Sequence, residues 1–173
     1  MSGVLAMLRE RRPAFNLLAA VACFSLLGFA LYTQHYLGFQ PCPLCIFQRI
    51  AVIALGVAFI VAAMVPGRAR VGGIAASVLI GLVSVAGAVV AGRHLYLQSL
   101  PPRAPGEIGG CGAPLGHLWN VNPTGEFLAK VFRGTGDCSQ VDWAFLGLPM
   151  PAWVLIWVLA LGAAGMLVNW RTR

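Results

Sequence analysis

A chain of 173 residues that is 59% hydrophobic and only 10% charged, with a mean hydropathy of +0.82, has too little polar surface to enclose a core in water, which excludes an ordinary soluble domain. The formal charge of +7 does not point to nucleic acid, because the basic residues flank apolar runs in tails and short turns rather than forming one patch interleaved with aromatics. The composition is that of an integral membrane protein whose basic residues report topology.

Arg9, Arg11 and Arg12 form a basic N-terminal tail. From about residue 14 to 32 the chain is free of charge, and at 1.5 Å per residue this stretch reaches roughly 28 Å, enough to cross a bilayer. A signal peptide is the competing expectation. Against it, the apolar run continues past Cys23 to Leu31 and three further long apolar runs follow, so the chain reads as polytopic. Cys23 is expected as a buried lone thiol.

A short loop, about residues 33–45, carries Gln34 and His35 and ends in Pro41-Cys42-Pro43-Leu44-Cys45. The two prolines disfavour helix just before them and lack backbone donors, whereas the residues after Leu44 are apolar enough to continue as a helix, so a helix is expected to begin near Cys42 or Pro43. Cys45 then lies in its first turn, where the partial positive charge of the helix N-terminus favours a thiolate. Arg49, four residues on and on the same face, adds a full charge. Two cysteines at a helix end can also be a structural clip or half a zinc site, and a lone arginine at a membrane boundary is often an anchor. An anchor needs no thiol pair one turn away, and the combination favours redox chemistry.

The second span is expected over about residues 46–65 and the third over about 71–92, joined by the tight basic turn Pro66-Gly67-Arg68-Ala69-Arg70. Gly72, Gly73, Gly81 and Gly87 give the third helix small faces suited to close packing. Residues 93 to 150 differ in kind: rich in Pro and Gly, they hold Glu107, Glu126, Asp137 and Asp142 together with Cys111 and Cys138. Within them, Asn122 to Phe132 has cap candidates in Asn122 and Thr124 and places Phe127, Leu128, Val131 and Phe132 on one face, as a short helix lying on a membrane surface would. A last span, about residues 151–168, has Trp153 and Trp157 near one end and Trp170 at the other.

With four spans, both tails and the turn at Arg68 and Arg70 fall on one side and hold seven basic residues, which makes that side cytoplasmic. Both cysteine loops then face an oxidising compartment, consistent with five cysteines in so short a chain. The expected fold is an all-α membrane protein: a single domain over residues 1–173, formed by a four-helix transmembrane bundle with two outer loops and a short interfacial helix in the second.

The motifs QH at Gln34 and His35, PCPLCIFQR at Pro41 to Arg49, GTGDC at Gly134 to Cys138 and WAFLGLPMPAW at Trp143 to Trp153 carry a family likeness over nearly the whole chain. The chain resembles the disulfide bond formation protein B (DsbB) family, quinone-dependent thiol oxidases of the bacterial inner membrane. The resemblance implies that Cys42 and Cys45 form the disulfide regenerated by ubiquinone or menaquinone, with Cys45 contacting the quinone ring, Arg49 polarising a ring oxygen and His94 lining the pocket. It implies also that Cys111 and Cys138 form a second disulfide attacked by a periplasmic thioredoxin-like partner (DsbA), with Cys111 taking the mixed disulfide and Cys138 then engaging Cys42. Gln48 stands where the best-known member carries an acid, and no proton role attaches to it. His35 and His117 carry no assigned role.

Three other readings compete. One is a four-span structural protein, in contact with lipid, whose outer loops are stapled by two inert disulfides. Another is a metal site built from Cys42, Cys45, Cys111 and Cys138, disfavoured because the second pair is split by 26 residues. The third is a specialised paralogue or a vitamin K epoxide reductase-like enzyme, which usually places its Cys-x-x-Cys later in the chain.

Overall fold

The computed structural model describes residues 11–38, 41–65, 70–100 and 144–170. Within them lie four long helices, α1 (Arg12–Tyr36), α2 (Pro43–Met64), α3 (Arg70–Ser99) and α4 (Met150–Trp170), and a two-stranded antiparallel hairpin, β1 (Ala144–Phe145) and β2 (Leu148–Pro149). The shortest helix has 21 residues, about 31 Å at 1.5 Å per residue, so each is long and apolar enough to cross a hydrocarbon layer of about 30 Å. The protein is a multi-pass membrane protein, with four spans among the described residues. Leu18, Val71, Leu82 and Leu167 are exposed around its girth, where lipid rather than water meets them.

The helices extend beyond the apolar runs, and the extra turns matter for the site. α1 continues to Tyr36 rather than stopping near residue 32, and α3 runs to Ser99 rather than ending near residue 92. Polar side chains end a hydropathic run without ending a helix. Tyr32 stacks on Tyr36 in the added turn of α1, with ring centroids 5.0 Å apart, and in α3 the Arg93 guanidinium lies over the Tyr96 ring, 5.2 Å from its centroid. α2 begins at Pro43, with Cys42 extended (φ −66°, ψ 162°) as its cap.

Arg12 corrects the reading of the N-terminus. It belongs to the first turn of α1 and is 1% exposed, while its neighbour Arg11 stays at the surface. Its Nε donates to Asn169 Oδ1 at 2.7 Å, and Asn16 and Asn169 exchange amide hydrogen bonds of 3.1 and 3.0 Å. The first and last helices are thus tied at the end of the bundle remote from Cys42. Arg12 Nε and the two asparagine amides satisfy one another, whereas the two Nη atoms of Arg12 are buried without a hydrogen-bond partner among the described residues.

Side by side, α1 packs on α2, α2 on α3 and α3 on α4. The core of Phe59, Leu55, Ile80, Cys23 and Val158 is knitted by alanines: Ala19 and Ala20 on α1, Ala58 and Ala62 on α2, and Ala76 on α3. The tightest approaches fall on α4. A Cβ at Gly165 would sit 2.5 Å from Phe59 Cε1 and 3.1 Å from Ile80 Cγ2, and one at Gly162 would sit 2.6 Å from Ser84 Cβ. On α3, Gly81 and Gly87 face Met166 and Val158 of α4 at gentler distances of 3.0 and 3.2 Å. The seam is therefore built from small residues on both helices, with the smallest clearances on α4.

Candidate functional site

The start of α2 is set by local chemistry. Pro43 occupies the first helical position, where a missing N–H costs nothing, and the extended Cys42 turns its sulfur back to accept the Cys45 backbone N–H at 3.3 Å. A thiol thus takes the place usually filled by serine or aspartate. The same geometry brings the two side chains together, with the Cys42 and Cys45 Sγ atoms 2.9 Å apart. Cys42 is buried and packs with Leu44 and Leu97, whereas Cys45 is half-buried.

The added turns of α3 place His94 over this pair. Its Nε2 lies 3.8 Å from Cys42 Sγ, and its Nδ1 meets Gln48 Nε2 at 3.0 Å. Both Gln48 and His94 are buried, so one helix holds the imidazole of the other in a set orientation. Gln48, to which no proton role attached in the sequence, is the residue that orients His94.

Arg49 lies on the other flank, half-buried. Its Nη1 donates to Gln34 Oε1, and its Nη2 to the Ala30 carbonyl at 3.0 Å, both on α1. The guanidinium is a bridge between α1 and α2 and not a snorkelling anchor. Gln34 reaches it because α1 continues past residue 32. His35, next to it, is exposed and lies outside the cluster.

Cys45, Gln48, Arg49 and His94 open on a cavity of about 390 Å³ whose remaining walls are mostly apolar. α4 contributes Trp153 and Trp157, and the hairpin contributes Phe145. The hairpin turns through Leu146 (φ 51°) and Gly147 (φ 78°), a left-handed pair that glycine adopts without cost and leucine does not. It is pinned to α4 by the Trp153 indole N–H, which donates to the Phe145 carbonyl at 3.1 Å, and by the two rings, 5.9 Å apart. Phe145, the first residue of the FLGLP stretch, thus lines the cavity, a role that the motif did not disclose. A compartment of this kind, apolar with a few convergent polar groups beside reactive sulfur, suits a flat apolar redox molecule bearing hydrogen-bond acceptors.

Four of the six residues expected from the sequence, Cys42, Cys45, Arg49 and His94, come together here. Cys111 and Cys138 lie outside the described residues, as do His117 and the expected helix from Asn122 to Phe132.

The family model for disulfide bond formation protein DsbB matches residues 11–168. A disulfide bond formation protein B of Methylococcus capsulatus is 46% identical over 158 residues, covering 91% of this chain and 93% of that protein. Proteins of the same name from Xylella fastidiosa and an Azoarcus species are 40% and 41% identical, covering 87% and 96% of this chain and 86% and 95% of their own lengths. The match takes in all four spans, the Cys-x-x-Cys helix start and the His94 turn, and the chain belongs to the DsbB family of disulfide bond formation proteins.

Proposed function

We propose that the protein is a quinone-dependent thiol oxidase that reoxidises a periplasmic thioredoxin-like protein of the DsbA type and delivers the electrons to ubiquinone or menaquinone. The observation that carries this reading is the placement of Cys45 at the wall of an apolar cavity at the end of a membrane span, with Arg49 and His94 beside it. Quinone supplies a lipid-soluble acceptor for two electrons and two protons, and the cavity's apolar walls and few polar groups fit such a ring.

The chain's own residues divide the work. Cys45, in the first turn of α2 and at the cavity wall, is the nucleophile of the inner pair. Arg49, held from behind by Gln34 and Ala30, presents positive charge to an acceptor oxygen, and His94, held by Gln48, faces the sulfurs. The outer pair, Cys111 and Cys138, would serve the protein partner. A partner dithiol becomes a disulfide while Cys111–Cys138 is reduced to two thiols. A second exchange, with Cys138 engaging Cys42, passes that pair of electrons and protons to Cys42–Cys45, from which they leave to quinone. Two pairs are needed because an accessible loop suits a soluble partner, whereas a lipid-soluble acceptor requires thiols at membrane depth. The distribution of basic residues supports an inner-membrane orientation with both termini cytoplasmic and both cysteine loops periplasmic.

The test is quinone reduction by the detergent-solubilised protein supplied with a reduced DsbA-type partner, using ubiquinone and menaquinone analogues in turn. Turnover is expected with the unaltered chain and none with Cys45→Ser. Absence of turnover with every quinone and partner, while Cys42, Cys45, Cys111 and Cys138 stay oxidised, would replace this reading with that of a stapled structural protein.

A further inference from the structure

The two sulfurs of the Cys-x-x-Cys helix start and a ring nitrogen of His94 all lie within 4.8 Å of one another. We propose that the reduced Cys42–Cys45 pair and His94 form a binding site for one thiophilic divalent cation of the zinc or cadmium class, which holds the protein in its dithiol state.

The ligand set selects the metal. Two cysteine sulfurs and one imidazole, with an open position toward the cavity, match the three-ligand sites in which zinc keeps its fourth place for solvent or a small molecule. Tetrahedral bonds of about 2.0–2.3 Å put ligand atoms about 3.5–3.8 Å apart. Cys42 Sγ and His94 Nε2 already stand at 3.8 Å, and the sulfurs, at 2.9 Å, need to open by about 1 Å, within reach of side-chain rotation. Among the described residues the ligand set is two sulfurs and an imidazole, softer donors than the oxygens that calcium and magnesium prefer.

Two further features favour the complex. Gln48 holds the remaining ring nitrogen of His94, the outer contact that metal-bound histidines usually have, and its amide can turn to accept the Nδ1 proton once Nε2 is a ligand. Burial adds the other. On binding, two thiols release two protons and two thiolates balance the cation's two charges, so the complex is neutral where separate ions would be costly. Arg49, whose guanidinium is hydrogen-bonded to Gln34 and Ala30 on α1, lines the same cavity, and its charge is opposed by the two thiolates. The disulfide form, having no thiolates, cannot bind, so the site exists only while the pair is reduced. That binding blocks reoxidation rests on the function proposed above; the site itself does not.

The test uses the full chain in detergent with Cys111→Ser and Cys138→Ser, which leaves Cys23, Cys42 and Cys45 as its cysteines. After reduction and removal of the reductant without air, cadmium is titrated and followed by sulfur-to-cadmium charge-transfer absorption, and zinc is followed by competition with a chromophoric chelator. One equivalent is expected for the reduced protein and none for the same protein in its disulfide form, a comparison that needs no substitution at the site. Gln48→Leu is expected to weaken binding about 10- to 100-fold, and His94→Leu to weaken it further. Equal uptake by reduced and oxidised protein, or unchanged affinity in His94→Leu, would overturn the proposal. Neither quinone nor partner is present, so these outcomes leave the thiol-oxidase reading untouched.

Discussion

Gln34→Leu removes one acceptor from the Arg49 guanidinium while keeping a side chain of similar size, and so isolates what the α1–α2 bridge contributes. The lost contact is a hydrogen bond from a charged donor, for which about 1.5–3 kcal/mol is usual. The Ala30 carbonyl keeps its hold on Nη2 at 3.0 Å, so the guanidinium stays in the site but gains freedom to turn away from the cavity. If that interaction energy serves to aim the charge, quinone-dependent kcat/KM falls about 10- to 100-fold, at one decade per about 1.4 kcal/mol. Steady-state quinone reduction measures this, and single-turnover oxidation of the reduced partner should be unchanged. The decisive comparison is a double-mutant cycle with Arg49→Leu. A residue acting through Arg49 adds nothing once Arg49 is gone, so Gln34→Leu/Arg49→Leu should be no slower than Arg49→Leu. Fully additive losses, or wild-type kinetics in Gln34→Leu, would refute the positioning role.

Gly165→Ala places a methyl group 2.5 Å from the Phe59 ring and should cost about 1–3 kcal/mol of stability, read as a lower unfolding temperature in detergent and partly relieved by Phe59→Leu. Asn169→Leu strands Arg12 and Asn16 in a buried setting and should cost about 1–3 kcal/mol for each group left without its partner; an unchanged unfolding temperature would show that water or lipid reaches them. In the reduced protein, Cys42→Ala should lose the cap of α2 and about 0.5–2 kcal/mol, whereas Cys42→Ser, an accomplished capping residue, should retain most of it; equal unfolding temperatures for the two would remove the capping role.

The elements legible in the sequence are those whose causes are local. Four apolar runs read as spans because backbone groups in lipid must be bonded within their own helix, a demand that leaves its mark as length and hydropathy. The beginning of α2 was legible for a similar reason: Pro43 at the first helical position and an extended Cys42 are dictated by residues within one turn of each other. Adjacency of Cys42, Cys45 and Arg49 followed from helical spacing alone.

Contacts between helices were decided by tertiary structure. A soluble helix announces its buried face by an apolar stripe, but here lipid is as apolar as the core, so α2 carries Phe59 inward and Ile50 outward with no contrast in composition between them. Nothing local selects Gly162 and Gly165 over the glycines of α3 as the tightest points, since clearance depends on the side chains opposite, Ser84 and Phe59. Arg12 read as a tail residue because its partner, Asn169, lies at the far end of the chain. The site shows the same limit: Gln34 meets Arg49 and Gln48 meets His94 only once α1 and α3 continue as helix beyond their apolar runs, and hydropathy records where a helix leaves hydrocarbon, not where its hydrogen bonds end.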